Sequence, residues 1–235
     1  AGHELGKDQY KLEIKTPDAI RQQICQDSLL IKEMQDVLET RNENVEWKFD
    51  KKTGLPIEYL IEGLNYFVEG PKPNFWRART NNDLQGQLEF LFGYMHPDYQ
   101  KESWKLVKFE YLQAAPNKII VTTIINMING DNISDDEPST DDCKLIFTLF
   151  GSGDMKIDYD FRVEDCAPRI GMQMKIPSNF SHMIWYGLGP HENYIDRKDS
   201  EIVDIHSGEV KDLIFDYVEP QENGNRTEVR WVALL

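Results

Sequence analysis

The stretch that decides the fold is residues 145–163, which read LIFTLFGSGDMKIDYDFRV. Apolar side chains occupy every second position on both sides of a central turn, and most positions between them are polar or charged. A period of two is what a β-strand needs when one face is buried and the other contacts solvent. The turn, Gly151–Asp154, contains two glycines, which adopt positive φ at little steric cost. The stretch therefore predicts an antiparallel β-hairpin.

The same alternation recurs along most of the chain. It predicts further strands at 45–49, 57–61, 107–111, 119–125, 170–176 and 229–233. Helical periodicity is sparse, and residues 17–41 are interpreted as a linker followed by the first strand. Residues 84–100 are predicted to form a long loop and residues 130–142 an acidic hairpin tip, with a calcium site as the alternative for the latter. Many short strands separated by turns favour an all-β, antiparallel sandwich.

Composition and charge describe an acidic globular protein. The 235 residues include 41 Asp and Glu against 26 Lys and Arg, which gives a net charge of −15. A field of this sign repels the phosphates of nucleic acids and of anionic membranes, so neither is expected as a partner. No apolar run approaches the roughly 18 residues that a membrane-spanning helix needs. Three widely spaced cysteines without a CxxC pair favour neither a disulfide framework nor a zinc site.

Three segments combine aromatic residues, polar residues and glycine or alanine: 74–83 (NFWRARTNND), 185–197 (WYGLGPHENYIDR) and 217–226 (YVEPQENGNR). This combination is typical of sugar-binding sites, because aromatic rings cover the C–H face of a pyranose and polar side chains bind its hydroxyls. The alternative is structural. In that case the aromatic members are core residues, namely Trp76, Trp185 and Tyr186, and the charged members form ion pairs that fix loops, namely Arg77, Asp83, Asp196 and Arg197.

His191 and Glu192 form the only adjacent histidine–carboxylate pair in a loop rich in glycine and proline. They would suit a general base and its neighbour. The competing interpretation is that the two side chains point apart, as sequence neighbours often do. The sequence contains no P-loop, HExxH or GxSxG motif and no dinucleotide fingerprint. The residues by themselves therefore select no catalytic pair.

The second and third segments, extended to 185–198 and 217–231, resemble the C-terminal domain of the large bacterial β-galactosidases of glycoside hydrolase family 2. Residues 74–83 are similar to that family's NFWRAPTDND, with Arg79 in place of the proline and Asn81 in place of the first aspartate. The opening AGHEL and QYKL resemble the last strands of the preceding domain. The resemblance covers essentially the whole chain, in the same order.

This resemblance implies a large antiparallel β-supersandwich related to galactose mutarotases, in agreement with the predicted strands. It implies that residues 1–30 are the tail of an immunoglobulin-like domain plus a linker. Residues 31–235 would be the supersandwich, truncated at its C-terminus. Family members continue for several tens of residues beyond the match to VRWVALL, and that tail includes a tryptophan that reaches the active site. An unpaired sheet edge is then expected.

The activity implied by the resemblance is retaining hydrolysis of terminal β-D-galactosides by two glutamates about 5 Å apart. In the family, both glutamates lie in a TIM-barrel domain that is missing here. The family's magnesium and sodium sites also belong mainly to that domain. No catalytic residue, metal ligand or cofactor is therefore assigned to this chain, and it is expected to be inactive alone. It would be an accessory domain that shapes the substrate cleft and stabilises a homo-oligomeric bacterial enzyme, either cytoplasmic or periplasmic. Its partners would be β-galactosides and the enzyme's other domains.

The candidate substrate-binding residues come from the same three segments. They are Asn82, Asp83, His191, Glu192, Asn193, Arg197, Glu222 and Asn223. Two other functions stay open, namely a carbohydrate-binding module and a mutarotase-like sugar epimerase. An epimerase needs a histidine acid and a carboxylate base. The candidates for that pair are His182, His191 or His206 with Glu192 or Glu222.

Overall fold

The computed structural model describes residues 8–13, 27–84, 104–127, 142–162 and 169–235. The chain divides into two compact units. We call residues 22–77 and 82–177 the sandwich unit, and residues 1–21, 78–81 and 178–235 the three-stranded unit. Most of residues 1–30 lie outside the described part, so the predicted domain boundary at residue 30 stays a prediction. Among the described residues, no helix is long and apolar enough to cross a membrane.

The sandwich unit contains two large antiparallel sheets. The first has the order β1-β2-β3-β4-β5, with strands Leu30–Glu33, Val37–Arg41, Val45–Asp50, Pro56–Ile61 and Leu64–Asn65. The second has the order β10-β9-β8-β7, with β7 at Trp104–Ala115, β8 at Lys118–Met127, β9 at Asp142–Phe150 and β10 at Met155–Phe161. A smaller sheet pairs β6 (Glu69–Asn74) with β11 (Gly171–Lys175).

The two large sheets share one hydrophobic core. It is built by the alternating positions of the strands, so that every second side chain is buried and its neighbours face outward. Side chains without solvent exposure come from both sheets: Leu38, Trp47, Phe49, Ile119, Val121, Ile125, Leu145, Phe147 and Leu149. The predicted hairpin is confirmed, since Met155 pairs with Leu149 and the strands run antiparallel. The prediction of an all-β, antiparallel sandwich is confirmed with it.

The other predicted strands are confirmed as well. They correspond to β3, β4, β7, β8, β11 and a last strand, β14, at Trp231–Leu234. The predicted loop at 84–100 and the acidic tip at 130–142 lie outside the described residues except at their ends. Cys143 is buried among core side chains, and this burial raises the pKa of its thiol. Cys25 and Cys166 lie outside the described residues.

The three-stranded unit is built on a sheet of order β13-β12-β14, with β12 at His182–Gly189 and β13 at Ile202–Glu209. Both neighbours pair antiparallel with β12. Short 3₁₀-helices occur at Asn81–Leu84 and Val210–Leu213. Residues 185–189 form the end of the central strand, ahead of the loop that contains His191 and Glu192. The loop begins only at Pro190.

Candidate functional site

The two polar segments of the three-stranded unit meet at one buried carboxylate, that of Glu192. Its side chain is only 6% exposed. It accepts hydrogen bonds from Arg197 Nη2 at 2.8 Å, from the Tyr217 hydroxyl, and from the Gly224 backbone N–H at 2.6 Å. Arg197 also donates to the Tyr217 hydroxyl, at 2.7 Å. Glu192 therefore fastens the loop after β12 to the segment that precedes β14.

Asn193 makes the second connection between these segments, and it is fully buried. Its Oδ1 accepts from the backbone N–H of Thr227 at 2.8 Å and from the Thr227 hydroxyl at 2.6 Å. Its Nδ2 donates to the carbonyl of His191 at 3.0 Å. Its own main chain exchanges two further hydrogen bonds with Asn225. Both side-chain ends of Asn193 thus have partners, as a buried amide requires.

Arg226 is the member of the cluster that the sequence did not single out. Its guanidinium lies over the ring of Trp185, 5.2 Å from the centroid. It donates to the carbonyls of Gly224 at 2.8 Å, and of Leu213 and Pro190 at 3.3 Å. Burial lowers the pKa of Arg226, against the nearby carboxylate of Glu192, which raises it. Because a backbone carbonyl can belong to any residue type, no sequence motif predicts that Arg226 binds these three carbonyls.

Glu222 and Asn223 both bind backbone groups. Glu222 Oε2 accepts from the N–H of Ala78 at 3.0 Å, and the Glu222 N–H donates to the Arg79 carbonyl at 2.8 Å. Asn223 accepts from the N–H of Phe215 at 3.0 Å and donates to the carbonyl of the same residue. These contacts hold residues 213–227 in a defined conformation, so the carboxylate of Glu222 has a structural partner.

His191 and Glu192 turn to different partners. The His191 side chain is 80% exposed, and its Nδ1 lies 3.4 Å from Oε1 of Glu201. The backbone N–H of His191 donates to the other oxygen of Glu201 at 3.0 Å. Glu201 is itself only 4% exposed. The His191–Glu192 pair therefore does not form a general base with its neighbour in this conformation.

The other two histidines of the epimerase hypothesis are also engaged elsewhere. Nδ1 of His182 lies 3.0 Å from Oε1 of Glu209, its cross-strand neighbour. The His206 ring packs against Trp185, with 5.3 Å between centroids, and its Nε2 lies 3.2 Å from the carbonyl of Ile202. The partners of the three histidines are thus Glu201, Glu209, and the pair Trp185 and Ile202.

Asn82 and Asp83 belong to the sandwich unit, and the six other candidates belong to the three-stranded unit. Asp83 forms a two-pronged ion pair with Arg77, with distances of 2.6 and 3.1 Å. The side chains of both partners are mostly buried, at 14% and 23% exposure. Asn82 is exposed in the 3₁₀ turn that Asp83 anchors. The motif 74–83 thus contains one of the ion pairs expected from the structural alternative.

The cluster as a whole offers binding groups on a fixed frame. Glu192, Glu201 and Glu222 all accept from fixed donors, whereas the Arg197 guanidinium and the His191 ring are largely exposed, at 57% and 80%. Such a frame can present hydrogen-bond donors to a ligand with little loss of side-chain entropy. Within the ranges that the structure describes, no group of three His, Cys, Asp or Glu side chains is arranged to hold a metal ion.

Comparison with known proteins gives one consistent result. Residues 41–235 match the family model of the β-galactosidase small chain. A β-galactosidase of Priestia megaterium is 30% identical over 245 aligned residues, covering 100% of this chain and 22% of that protein. β-Galactosidases of Halalkalibacterium halodurans and Lactobacillus delbrueckii subsp. bulgaricus are each 27% identical, over 80% and 83% of this chain. The chain spans about a fifth of the length of these curated relatives.

Proposed function

Because this chain belongs to the β-galactosidase small-chain family, we propose that it is an accessory part of a β-galactosidase and supplies none of the reacting groups. The observation that carries this proposal is how small a share of each relative this chain matches. The relatives named β-galactosidase match the chain over 80% or more of its length, yet the chain corresponds to only 18–22% of theirs. Most of each relative therefore lies outside the matched region, and the proposal assigns the chemistry to that remainder.

The hydrogen bonds of the Glu192 and Glu222 carboxylates support an accessory role. Retaining glycoside hydrolysis needs two carboxyl groups about 5 Å apart, one to attack and one to move a proton. Glu192 is held by three donors, and Glu222 accepts from a backbone N–H. Both carboxylates therefore hold neighbouring segments in place, which is a structural role and not that of a reacting group.

The same loops would form one wall of the substrate cleft. In this proposal His191 and Arg197, whose side chains are largely exposed, contact hydroxyl groups of a β-galactoside directly. Glu192, Asn193, Glu222 and Asn223 hold the wall in place through the contacts described above. In the sandwich unit, considered by itself, Asp83 anchors a turn through Arg77, and we propose Asn82 on that turn as a further sugar contact.

We also propose that this chain stabilises the assembled enzyme. Exposed apolar side chains support this part of the proposal. The loop at 214–218 exposes Ile214 by 62%, Phe215 by 59% and Val218 completely. Neighbouring apolar side chains of this size on a surface mark sites of interaction. We assign this loop to contact with the remaining domains of a homo-oligomeric bacterial enzyme. In this proposal, magnesium and sodium are bound by those remaining domains.

A carbohydrate-binding module is the second candidate, and one observation favours it. The rings of Phe215 and Tyr217 lie 4.8 Å apart, and the Arg197 guanidinium donates to the Tyr217 hydroxyl. Aromatic rings beside hydrogen-bond donors suit a sugar surface. A module of this kind would bind saccharide without affecting hydrolysis by another chain. The histidine contacts give no comparable support to an epimerase.

A mixing assay tests the proposed function. Hydrolysis of an aryl β-galactoside is followed for this chain, for the Priestia megaterium relative lacking its matched region, and for both together. We expect activity in the mixture and none in this chain alone. A covalent arm replaces the matched region of the relative with this chain, so that weak association does not hide the effect. Turnover by this chain alone, or a folded but inactive chimera, contradicts the proposal.

A further inference from the structure

We propose that the three-stranded unit carries a second ligand site, a cleft between residues 8–12 and the sheet, which binds a neutral saccharide. The cleft has a volume of about 970 Å³, at the upper end of the range for small-molecule sites. It is lined by residues other than the eight candidates discussed above. The proposal depends on this cleft alone and stands whether or not the chain is an accessory part of a hydrolase.

The floor of the cleft is one face of the sheet. Tyr186 and Leu188 lie two residues apart on β12, so their side chains point to the same face. Val203 on β13 is the cross-strand partner of Leu188 and shares that face. The walls come from residues 8–12 on one side and from residues 198–202 and 228–230 on the others. Regular sheet therefore supports the floor, and only the walls are irregular.

Residues 8–12, which we call the strap, are fixed to the edge of β13 by one side chain. Gln9 Oε1 accepts from the N–H of Val203 at 2.7 Å, and Gln9 Nε2 donates to the carbonyl of Val203 at 2.9 Å. This amide reproduces the pair of hydrogen bonds that a neighbouring strand would make to that residue. Gln9 thus holds the strap beside the cleft and closes this position of the sheet edge.

The charges around the cleft exclude two ligand classes. Seven charged side chains line it, three positive and four negative: Lys11, Lys198, Arg230, Asp8, Asp199, Glu201 and Glu228. An anion would meet the excess of carboxylates, and an apolar ligand would strip water from charged groups without replacing its hydrogen bonds. A neutral polyol suits both signs, because each hydroxyl donates to a carboxylate or accepts from an ammonium or guanidinium group.

Aromatic rings supply the surface that a pyranose needs in addition. Tyr10 on the strap is 80% exposed, and Tyr186 on the floor is 37% exposed. The Arg230 guanidinium lies 5.3 Å from the centroid of the Tyr186 ring, beside Glu228. The Trp231 ring lies 6.3 Å from that of Tyr186 and continues the aromatic surface next to the cleft. Rings on the floor and on the strap, with charged side chains lining the same cleft, suit the two faces of a sugar.

The test is a titration of the 235-residue chain with lactose and, separately, with cellobiose, followed by calorimetry and by NMR chemical shifts. We expect saturable binding with a Kd on the order of millimolar. Tyr186→Ala and Tyr10→Ala should each weaken binding at least tenfold, and Gln9→Ala should weaken it through release of the strap. Tyr10→Ala carries the test if Tyr186→Ala destabilises the sheet, because Tyr10 is on the surface.

Two controls assign the binding to the cleft. Tyr159→Ala removes an exposed tyrosine from the sandwich unit and should leave affinity unchanged. Arg197→Ala, in the loop cluster, is compared with Tyr10→Ala in the cellobiose titration, because cellobiose is not a β-galactoside. If Arg197→Ala abolishes binding and Tyr10→Ala does not, the ligand occupies the loop cluster, and this proposal fails while the proposed function stands. No saturable binding up to 100 mM (roughly a hundred times the expected Kd) overturns it as well, without bearing on the mixing assay.

Discussion

At the scale of single residues, Glu192 illustrates how a site-like sequence can serve structure. Its position beside His191 predicts a candidate for proton transfer, but its side chain turns inward to Arg197, Tyr217 and Gly224. Buried carboxylates are stable only when donors replace the lost water. The ion pair between Arg77 and Asp83 follows the same rule in the sandwich unit.

Removal of the Glu192 carboxylate should loosen the loop cluster. In Glu192→Ala the Gly224 N–H, the Tyr217 hydroxyl and one end of Arg197 all lose their acceptor. We expect a loss of about 2–4 kcal/mol in the free energy of unfolding, since buried donors are left without partners. Urea denaturation measures the loss, and hydrogen exchange at the Gly224 amide reports it locally.

The matched control for this prediction is Glu110→Ala. Glu110 forms an exposed ion pair with Lys108, in which both side chains are 53% exposed. Such pairs contribute little, so the change in the free energy of unfolding should stay within about 0.5 kcal/mol. Equal effects of the two substitutions, or unchanged exchange at Gly224, would show that Glu192 is not a connector.

At the scale of elements, β12 needs its glycines for close packing. A Cβ on Gly187 would lie 2.8 Å from Cα of Val229, and one on Gly189 would lie 2.8 Å from Cδ2 of His206 and 2.9 Å from Cζ2 of Trp185. Glycine is therefore required here by approach of the backbone and rings. This explains why a segment with the composition of a loop forms the central strand.

Addition of one methyl group should test that explanation. Gly187→Ala forces the new Cβ against the backbone of Val229, which cannot move without disturbing the sheet. We expect a loss of about 1–3 kcal/mol in unfolding free energy. Gly171→Ala is the matched control, because nothing lies within 4 Å of a Cβ at that strand position. A thermal melt of both variants suffices, and an unaffected Gly187→Ala protein would contradict the packing argument.

A tyrosine links β4 to the central hairpin. The Tyr59 hydroxyl donates to the carbonyl of Gly153 at 2.6 Å, and its ring stacks on Trp47 with 5.6 Å between centroids. Burial, with a smaller contribution from Asp154, raises the pKa of Tyr59 to about 12. The folded protein therefore binds this proton more tightly than the unfolded chain, in which a tyrosine pKa is about 10.

This difference predicts loss of stability in alkaline solution. The contribution of Tyr59 is fully present below pH ~10 and is lost as the pH rises through about 12, because only the neutral phenol fits its site. Tyr59→Phe should cost about 1 kcal/mol at pH ~8, where the carbonyl of Gly153 loses its donor. Its deficit against the wild-type chain should shrink between pH ~10 and ~12. Urea midpoints across this range measure the trend, with Tyr159→Phe as the control. If the stability difference between Tyr59→Phe and the wild-type chain stayed constant over this pH range, the raised pKa of Tyr59 would be contradicted.

At the scale of the whole molecule, the surface combines strong negative charge with exposed apolar side chains. The net charge of −15 makes copies of the chain repel one another. The apolar loop at 214–218 works in the opposite sense and invites a partner. The proposed partner, the remainder of a longer enzyme, reconciles the two features, since one particular surface is covered and the rest stays solvated.

The loop therefore supplies a prediction for the mixing assay. Ile214→Ser with Phe215→Ser should reduce the activity of the mixture at least tenfold when both components are well below the Kd of the wild-type pair, equivalent to about 1.4 kcal/mol of lost association. Folding stability should change little, because both side chains are already exposed. Leu112→Ser, which alters an exposed leucine of β7 in the sandwich unit, should not affect the mixture. Full activity of the double variant would exclude the loop as the contact.

The sequence by itself determined the sandwich and its core. Alternation in 145–163 and in 45–49 is a local pattern, and local geometry places alternate side chains on one face. Burial of Trp47, Leu145 and Phe147 follows from that geometry wherever the sheets pack. The long motifs at 74–83 and 185–198 were likewise sufficient to indicate the family, and the chain matches that family over residues 41–235.

Only the tertiary structure decided which polar residues meet. Glu192 reaches Gly224, Arg226 reaches Pro190, and Gln9 reaches Val203 across 194 positions of the chain. Hydrogen bonds to backbone groups depend on position in space and leave no residue pattern at either end. A single sequence therefore predicts strands, whose period is local, and misses contacts whose partners are brought together only when the sheet forms.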